Sequence, residues 1–364
     1  MHTSLTPRTR VLLLSAYDAI SHRYWADSVM QHVDGVEWTA LRLPARHFRW
    51  RVRGNPLTWL LKEGDTLSQP YDVVLATSMV DLATLAGLFP SLGRARKIVY
   101  FHENQFAYPV SEEQKPQVEG KMVNLYAALA ADTVVFNTAY NRDSFIDGAR
   151  AFLKQMPENV PAVKPLEALR QRAKVLPVPI MPLDRHPSHT PPNPRRILWN
   201  HRWEYDKNPE DFFAALFDLS EQGVAFDLAV LGQRFRHVPP IFAEAEQRLA
   251  SHITAWGPQP EGRYQAELDK GGIVVSTTRH EFQGLAIMEA AQRGALPLVP
   301  DRLCFPDLYP KAYRYDGTRG GLYERLYRWL TTPAYQPAPL DSARWEWPSW
   351  QAAYASLLTE EVVD

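Results

Sequence analysis

The sequence predicts an α/β protein made of two doubly wound, parallel-sheet domains facing each other across a cleft. Three observations carry that reading. Short apolar runs alternate with amphipathic stretches along the chain, the rhythm of parallel sheets covered by helices on both faces. The 364 residues suit two domains, each with ample core. A proline-rich break near the middle leaves about six strand-like runs on either side.

In the first half the strand-like runs are Val11–Ser15, Val36–Leu41, Val73–Ala76, Ile98–Phe101, Thr133–Phe136 and Lys174–Leu176. Glu119–Ala131 reads as one of the covering helices. The break follows, as Pro177-Val178-Pro179-Ile180-Met181-Pro182 and then Pro187 to Pro194. Six prolines in the seventeen residues Pro179–Arg195 exclude helix interior and central strand. The boundary therefore falls there, giving domains 1–180 and 181–345. Residues 346–364 read as a final helix that packs back on the first domain. Strand-like runs resume at Ile197–Trp199, Asp227–Leu231, Ile253–Trp256, Ile273–Ser276 and Leu296–Val299. Helices fit Glu210–Gln222, Tyr264–Lys270 and Leu285–Arg293. In such domains ligands lie at the carboxyl ends of the strands, here between the two halves.

Composition narrows the class. With 45% hydrophobic and 22% charged residues the chain is ordinary for a globular protein. A net charge of −1 gives no polyanion signature, so contact with nucleic acid needs a local patch. The single cysteine, Cys304, excludes an intrachain disulfide and a cysteine-rich zinc site, and reads as a packed thiol in a reducing compartment. Arg8 to Ala16 mimics a signal peptide, but its apolar part is short and runs into Tyr17-Asp18, so it reads as a buried first strand. No run reaches the eighteen apolar residues a membrane span needs. The expectation is a soluble, cytoplasmic protein with no membrane partner.

Two glutamates eight apart are the most informative feature, in Glu281-Phe282-Gln283-Gly284-Leu285-Ala286-Ile287-Met288-Glu289. Glu281 falls in the loop after a strand, and Glu289 about two turns into the helix that Gly284 opens. A helix start after a strand presents free amide N–H groups and a positive dipole end, which suits an anion. One acid can face a sugar beside that anion and the other a ribose behind it. Upstream, Arg202 and Lys207 in His201-Arg202-Trp203-Glu204-Tyr205-Asp206-Lys207-Asn208-Pro209 occupy a strand-to-helix turn. Cations there can neutralise a diphosphate leaving group, and Pro209 suits the first turn of the following helix. Cations first and the glutamate pair about eighty residues later form a far more specific pattern than the pair alone.

The first half adds three candidates. His102, in Tyr100-Phe101-His102-Glu103-Asn104-Gln105, follows a strand where a ligand would lie. Ser21 and His22 follow the first strand and are candidates for binding the acceptor, with Ser21 also expected to cap the first helix. The segment Arg42 to Gly54 holds five arginines, one histidine, two aromatics and no acid. Arg46, Phe48, Arg49, Trp50, Arg51 and Arg53 can meet phosphates and unstacked bases, or can form a solvated face with Phe48 and Trp50 packed inward. No Asp-x-Asp or His-Glu-x-x-His is present, so a metal-bridged diphosphate is not indicated. P-loop and G-x-S-x-G motifs are absent too, which argues against a kinase or an α/β-hydrolase.

These motifs together resemble a GT-B glycosyltransferase of family 4. With Val134-Val135-Phe136-Asn137, His280-Glu281-Phe282-Gln283-Gly284, Pro44-Ala45 before the basic stretch, and Trp347-Pro348-Ser349-Trp350, the chain resembles the tRNA-queuosine alpha-mannosyltransferases over nearly its whole length. The resemblance implies GDP-mannose as donor, queuosine-containing tRNA as acceptor, retention at the sugar carbon, and no metal or other cofactor. It implies that Glu281 holds donor-sugar hydroxyls, Glu289 the ribose, and Arg202 and Lys207 the diphosphate. Gln283, Gly284 and Leu285 would complete the phosphate cradle with Phe282 beside them, and His102 would contact the mannose. The chain departs from vertebrate-like members in the first loop, where Ala19-Ile20 precede Ser21-His22 in place of two glycines. Two rival readings remain at this point: a family-4 transferase acting on a lipid or polysaccharide, and a catalytically silent RNA-binding GT-B protein.

Overall fold

The computed structural model describes residues 8–108, 118–157, 161, 163–183, 193–234 and 237–359. The chain divides into two compact units. One is Met1–Met181 with Trp347–Asp364, and the other is Pro182–Glu346. Pro187, Pro191 and Pro192 of the expected break lie outside the described residues.

The first unit holds strands β1 (Thr9–Asp18), β2 (Val36–Pro44), β3 (Val73–Thr77), β4 (Arg96–Phe101), β5 (Thr133–Phe136) and β6 (Lys174–Val175). They form one parallel sheet in the order β2-β1-β3-β4-β5-β6. Helices shield both faces of its centre, which is why β1 and β3 are continuous apolar runs instead of alternating ones. Val11 to Leu14 and Val73 to Ala76 are all buried. The registers Leu12 with Val74 and Val99 with Val134 stack these residues into the core.

The second unit holds β7 (Arg196–Trp199), β8 (Asp227–Val230), β9 (Ile253–Trp256), β10 (Ile273–Val275), β11 (Leu296–Pro300) and β12 (Arg314–Tyr315). They form a second parallel sheet, in the order β12-β11-β10-β7-β8-β9. Ile273 lies between Ile197 and Leu296 at its centre, and Trp199, Phe212, Phe213 and Phe242 fill the layer beside it. Each unit is thus a parallel-sheet α/β domain, as expected of both halves.

Two expectations need correction. The strand β12 was not among the strand-like runs, because two residues, one of them arginine, carry no apolar signal. Ser21 does not cap the first helix. That helix spans Ile20–His32, its N-cap is Ala19, and no side chain bonds the cap. Ser21 is thus already the second helical residue. Among the described residues, no helix is long and apolar enough to cross a membrane.

Candidate active site

Strand order in the second unit reverses between β7 and β10, with β8 and β9 on one side and β11 and β12 on the other. At such a switch point the loops leaving the two central strands diverge, and a crevice opens at the carboxyl edge. Both sequence motifs lie there. The residues after β7 run through Arg202 into a single 3-10 turn, Tyr205–Lys207, and then the helix Pro209–Glu221, with Pro209 in its first turn. Those after β10 run through His280–Gly284 into the helix Leu285–Gln292.

The turn brings Lys207 and Glu281 together. Lys207 Nζ donates to Glu281 Oε2 at 3.2 Å and to the His280 carbonyl at 3.0 Å, with Asp206 Oδ2 at 3.4 Å. Two threonines brace the pair. The Thr277 hydroxyl reaches the carbonyls of Lys207 and Asn208, and the Thr278 hydroxyl those of Asp206 and His280. A third loop, after β11, supports them through Arg302, which donates to the Thr277 and Thr278 carbonyls. The two motif loops are therefore tied together by side-chain bonds to main-chain carbonyls as well as by the ion pair.

Burial alone would push Glu281 up, but Lys207 and then His201 overcome it and hold the carboxyl down at about 2. Lys207 is the converse case: burial would lower it, and Glu281 with Asp206 carries it above its ordinary value. Burial and then Lys207 push His201 down to about 4, so a neutral imidazole sits beside a firm ion pair. Arg202 is about half exposed, with Nη1 3.1 Å from Glu204 Oε2. Sequence reasoning missed Asp206, His201, Arg302 and the threonines. Only Arg302, beyond β11, lacks any signal near the motifs.

Gly284 opens its helix with φ 81°, and a Cβ there would meet the Phe305 ring at 3.3 Å. The first amides of the ladder are Ile287 and Met288, which donate to the Gly284 carbonyl. The amides of Leu285 and Ala286 precede the ladder, as at any helix start, and face outward with the dipole. Gln283 and Phe282 are buried: Gln283 Nε2 approaches Met288 Sδ at 3.6 Å, and the Phe282 ring packs edge-on to His280. The Phe282 amide donates to Glu281 Oε1 at 3.2 Å.

Glu289 is the fifth residue of that helix, near Tyr264. The Tyr264 hydroxyl accepts from Asn200 Nδ2, which also donates to the Ala286 carbonyl. Burial, reinforced by Glu261 and opposed by Arg293, raises the Glu289 carboxyl to about 7. The two glutamates of the motif are thus pushed in opposite directions. Their environments assign one a fixed charge and the other an adjustable one.

In the first unit, His102 follows β4 and is buried, with neither ring nitrogen hydrogen-bonded. His22, on the helix after β1, stacks on it at 4.3 Å between ring centroids. His22 Nε2 lies 3.9 Å from Glu103 Oε1. Burial and then His22 hold His102 well below the ordinary imidazole range. Asn137 fixes its backbone by donating to the His102 carbonyl at 2.8 Å, and Asn141 bonds the Phe101 carbonyl and Asn137 Oδ1. Asn104 caps the amides of Phe106 and Ala107. The asparagines of these motifs hold the loop and leave the imidazole itself unbonded. Ala19 and Ile20 fit their places without glycine, since Ala19 is extended and Ile20 helical.

The basic stretch becomes the start of the helix Phe48–Leu67. Arg46 and Arg49 are exposed, as is Trp50, whose indole lies over Gly54. Arg53 pairs with the buried Asp81 at 2.6 Å. Phe48 packs against the core, edge-on to Tyr17. Arg51 corrects the picture of an all-exposed arginine cluster. It shares the inward face with Val52, Asn55 and Trp59, and is buried with them. Among the described residues, no three His, Cys, Asp or Glu side chains gather as a cation site would require.

Similar proteins bear on the family and the fold. The model of the tRNA-queuosine alpha-mannosyltransferase N-terminal family matches residues 10–180. A tRNA-queuosine alpha-mannosyltransferase of Drosophila melanogaster is 30% identical over 338 residues, 90% of this chain and 88% of the relative. In fold, the chain is similar to sucrose-phosphate synthase from Thermosynechococcus elongatus, with TM-score 0.67 and 13% identity over 96% of this chain and 98% of that one. It is also similar to a lipopolysaccharide outer core galactosyltransferase, with TM-score 0.62 and 10% identity over 96% and 98%. On the identity and coverage of the first relative, the chain belongs to the tRNA-queuosine alpha-mannosyltransferase family of GT-B glycosyltransferases.

Proposed function

We propose that the chain transfers mannose from GDP-mannose, with retention, to the cyclopentene-diol of queuosine at the wobble position of a tRNA, in the cytoplasm and without a metal ion. Kinship with the Drosophila mannosyltransferase supports the acceptor and the sugar. The observation that carries the donor end is the Lys207–Glu281 pair at the switch point, beside the helix start at Gly284 and with Glu289 deeper along that helix.

Departure of GDP builds negative charge on the diphosphate and positive charge on the sugar carbon. Lys207 and the loop leading to Gly284 are fixed in advance by the brace described above, and Arg202 stands beside them against Glu204, so these groups stabilise that charge with little reorganisation. Glu281, held ionised by Lys207, accepts hydroxyl hydrogen bonds from the sugar. Glu289 receives the ribose hydroxyls. A neutral His102 contacts the mannose near its reacting face without adding repulsion to the developing cation. No carboxylate is assigned as a covalent nucleophile. A front-face path, in which the leaving phosphate takes the acceptor's proton as the new glycosidic bond forms, needs none.

Incubation of purified protein with queuosine-containing tRNA and a panel of nucleotide sugars, read by nucleoside mass spectrometry, tests this. The expected product is mannosyl-queuosine from GDP-mannose alone. Hexose transfer from another nucleotide sugar at a comparable rate would overturn the donor assignment, and transfer only to tRNA lacking queuosine would overturn the acceptor.

A further inference from the structure

The last helix, Trp347–Thr359, packs in the first unit, on β1 and on the helix Ile20–His32. Trp347 stacks on His32 at 4.8 Å and its amide donates to the Ile180 carbonyl. About two turns further on, Tyr354 enters the core and is buried. Its hydroxyl accepts from Trp25 Nε1 at 3.1 Å, lies 3.0 Å from the Pro177 carbonyl, and lies 3.3 Å from the Tyr100 hydroxyl. Tyr100 in turn donates to the Leu176 carbonyl at 2.7 Å. A hydroxyl has one proton and accepts at its lone pairs. The consistent assignment has Tyr354 accept from Trp25 and share its one proton between the Pro177 carbonyl and the Tyr100 hydroxyl, with Tyr100 spending its own proton on Leu176.

Trp25 and Tyr100 are also the walls of the His102 pocket. The Trp25 ring meets His102 edge-on at 4.7 Å, the Tyr100 ring lies tilted at 4.7 Å, and the two walls stack on each other at 4.4 Å. With His22 stacked on it as well, the His102 imidazole meets three aromatic rings and neither of its nitrogens is hydrogen-bonded. Its orientation is then set by the placement of its walls. Those walls are joined at one buried atom, the Tyr354 hydroxyl, which stands 329 residues from Trp25 and 254 from Tyr100 in sequence.

We propose that Tyr354 is a positioning residue for His102, acting through Trp25 and Tyr100, so that the last helix is part of the working site. The proposal rests on the reading of His102 as a sugar-contacting residue, and the test separates the two. Tyr354→Phe keeps the ring and removes the shared oxygen. Trp25→Phe removes the donor side of the same bond and also shortens the ring that meets His102, so Tyr354→Phe, which leaves all of the walls in place, is the deciding variant. Each is expected to lower kcat about tenfold with little change in KM for GDP-mannose or tRNA. Combined, they should cost no more than Trp25→Phe alone, because the bond they break is one and the same. In protein labelled at histidine, the His102 ring resonances, shifted by the aromatic walls, should move in both variants. Resonances of His252, in the second unit, should stay fixed. Loss of melting temperature with wild-type kcat and unmoved His102 resonances would overturn the proposal. Wild-type turnover in His102→Gln would overturn the His102 reading and this proposal with it. An inactive His102→Gln beside a fully active Tyr354→Phe would overturn this proposal alone.

Discussion

At the scale of single residues, the two switch-point cations are not equivalent. Arg202 is about half exposed, whereas the Lys207 side chain is 8% exposed and paired with Glu281. Both Arg202→Ala and Lys207→Ala are expected to cut turnover about 10²–10³-fold, the usual result of losing one preorganised charge stabiliser. Their melting curves should differ. An exposed cation adds little to stability, so Arg202→Ala should melt as wild type. Lys207→Ala leaves Glu281, only 20% exposed, without its partner and should cost about 3 kcal/mol. The double variant Lys207→Met with Glu281→Gln should regain most of that stability and none of the turnover, as calorimetry and a transfer assay together would register. Equal melting temperatures for the two alanine variants would contradict a stabilising Lys207–Glu281 pair.

Glu289 supplies a prediction in pH. Its carboxyl sits at about 7 in the folded, ligand-free chain, so it is partly protonated at neutrality. Ribose hydroxyls donate to a carboxylate, so binding selects the ionised form. GDP affinity should rise with pH through that value, with a proton released on binding, measurable by calorimetry in buffers of different ionisation enthalpy. For folding the sign is reversed. The folded state keeps a proton that the unfolded chain has lost, so this contribution is complete below the ordinary carboxyl range and disappears as pH rises through about 7. Glu289→Gln should flatten both dependences. A GDP affinity independent of pH in the wild type would remove Glu289 from the ribose.

At the scale of elements, the helix Phe48–Leu67 decides which arginines can meet RNA. Arg46 and Arg49 are open to solvent, Arg53 is already paired, and Arg51 faces the core. Neutralising Arg46 and Arg49 together should raise KM for tRNA and lower the slope of log affinity against log salt by about one for each phosphate no longer neutralised. Donor hydrolysis without tRNA should not change. Modification of tRNA at the wild-type rate across a salt series would reduce the stretch to a solvated face. The same helix shows what sequence could and could not give. The central strands were legible because burial on both faces makes them apolar throughout, as in Val73–Ala76. The glutamate pair and Arg202-to-Lys207 were legible because a switch point puts neighbouring strand ends together, whatever their separation in sequence. Which way Arg51 points was not legible, since an arginine run has no hydrophobic phase. Nor was Arg302, whose partners are carbonyls and leave no mark on the sequence of the loop they hold.

Considered whole, the molecule is proposed to run its transfer on fixed charges and dipoles alone. Activity should therefore persist in excess EDTA. Abolition by EDTA and recovery with Mg²⁺ or Mn²⁺ would show that the leaving group is neutralised by a cation instead of Lys207, Arg202 and the Gly284 helix.

The return of Trp347–Thr359 to the first unit also has a meaning for biosynthesis. The chain leaves that unit at Met181 and rejoins it only at Trp347, so the second unit is an insertion within the first. On the ribosome, Trp25, Tyr100 and the segment from Leu176 to Pro177 emerge long before their common partner, Tyr354. The first unit to begin folding is thus the last to finish, and the inserted unit, continuous in sequence, can close while its host still waits. Nascent chains held just short of Trp347 should carry a folded second unit beside a first unit in which Trp25 is still open to quenching or cleavage.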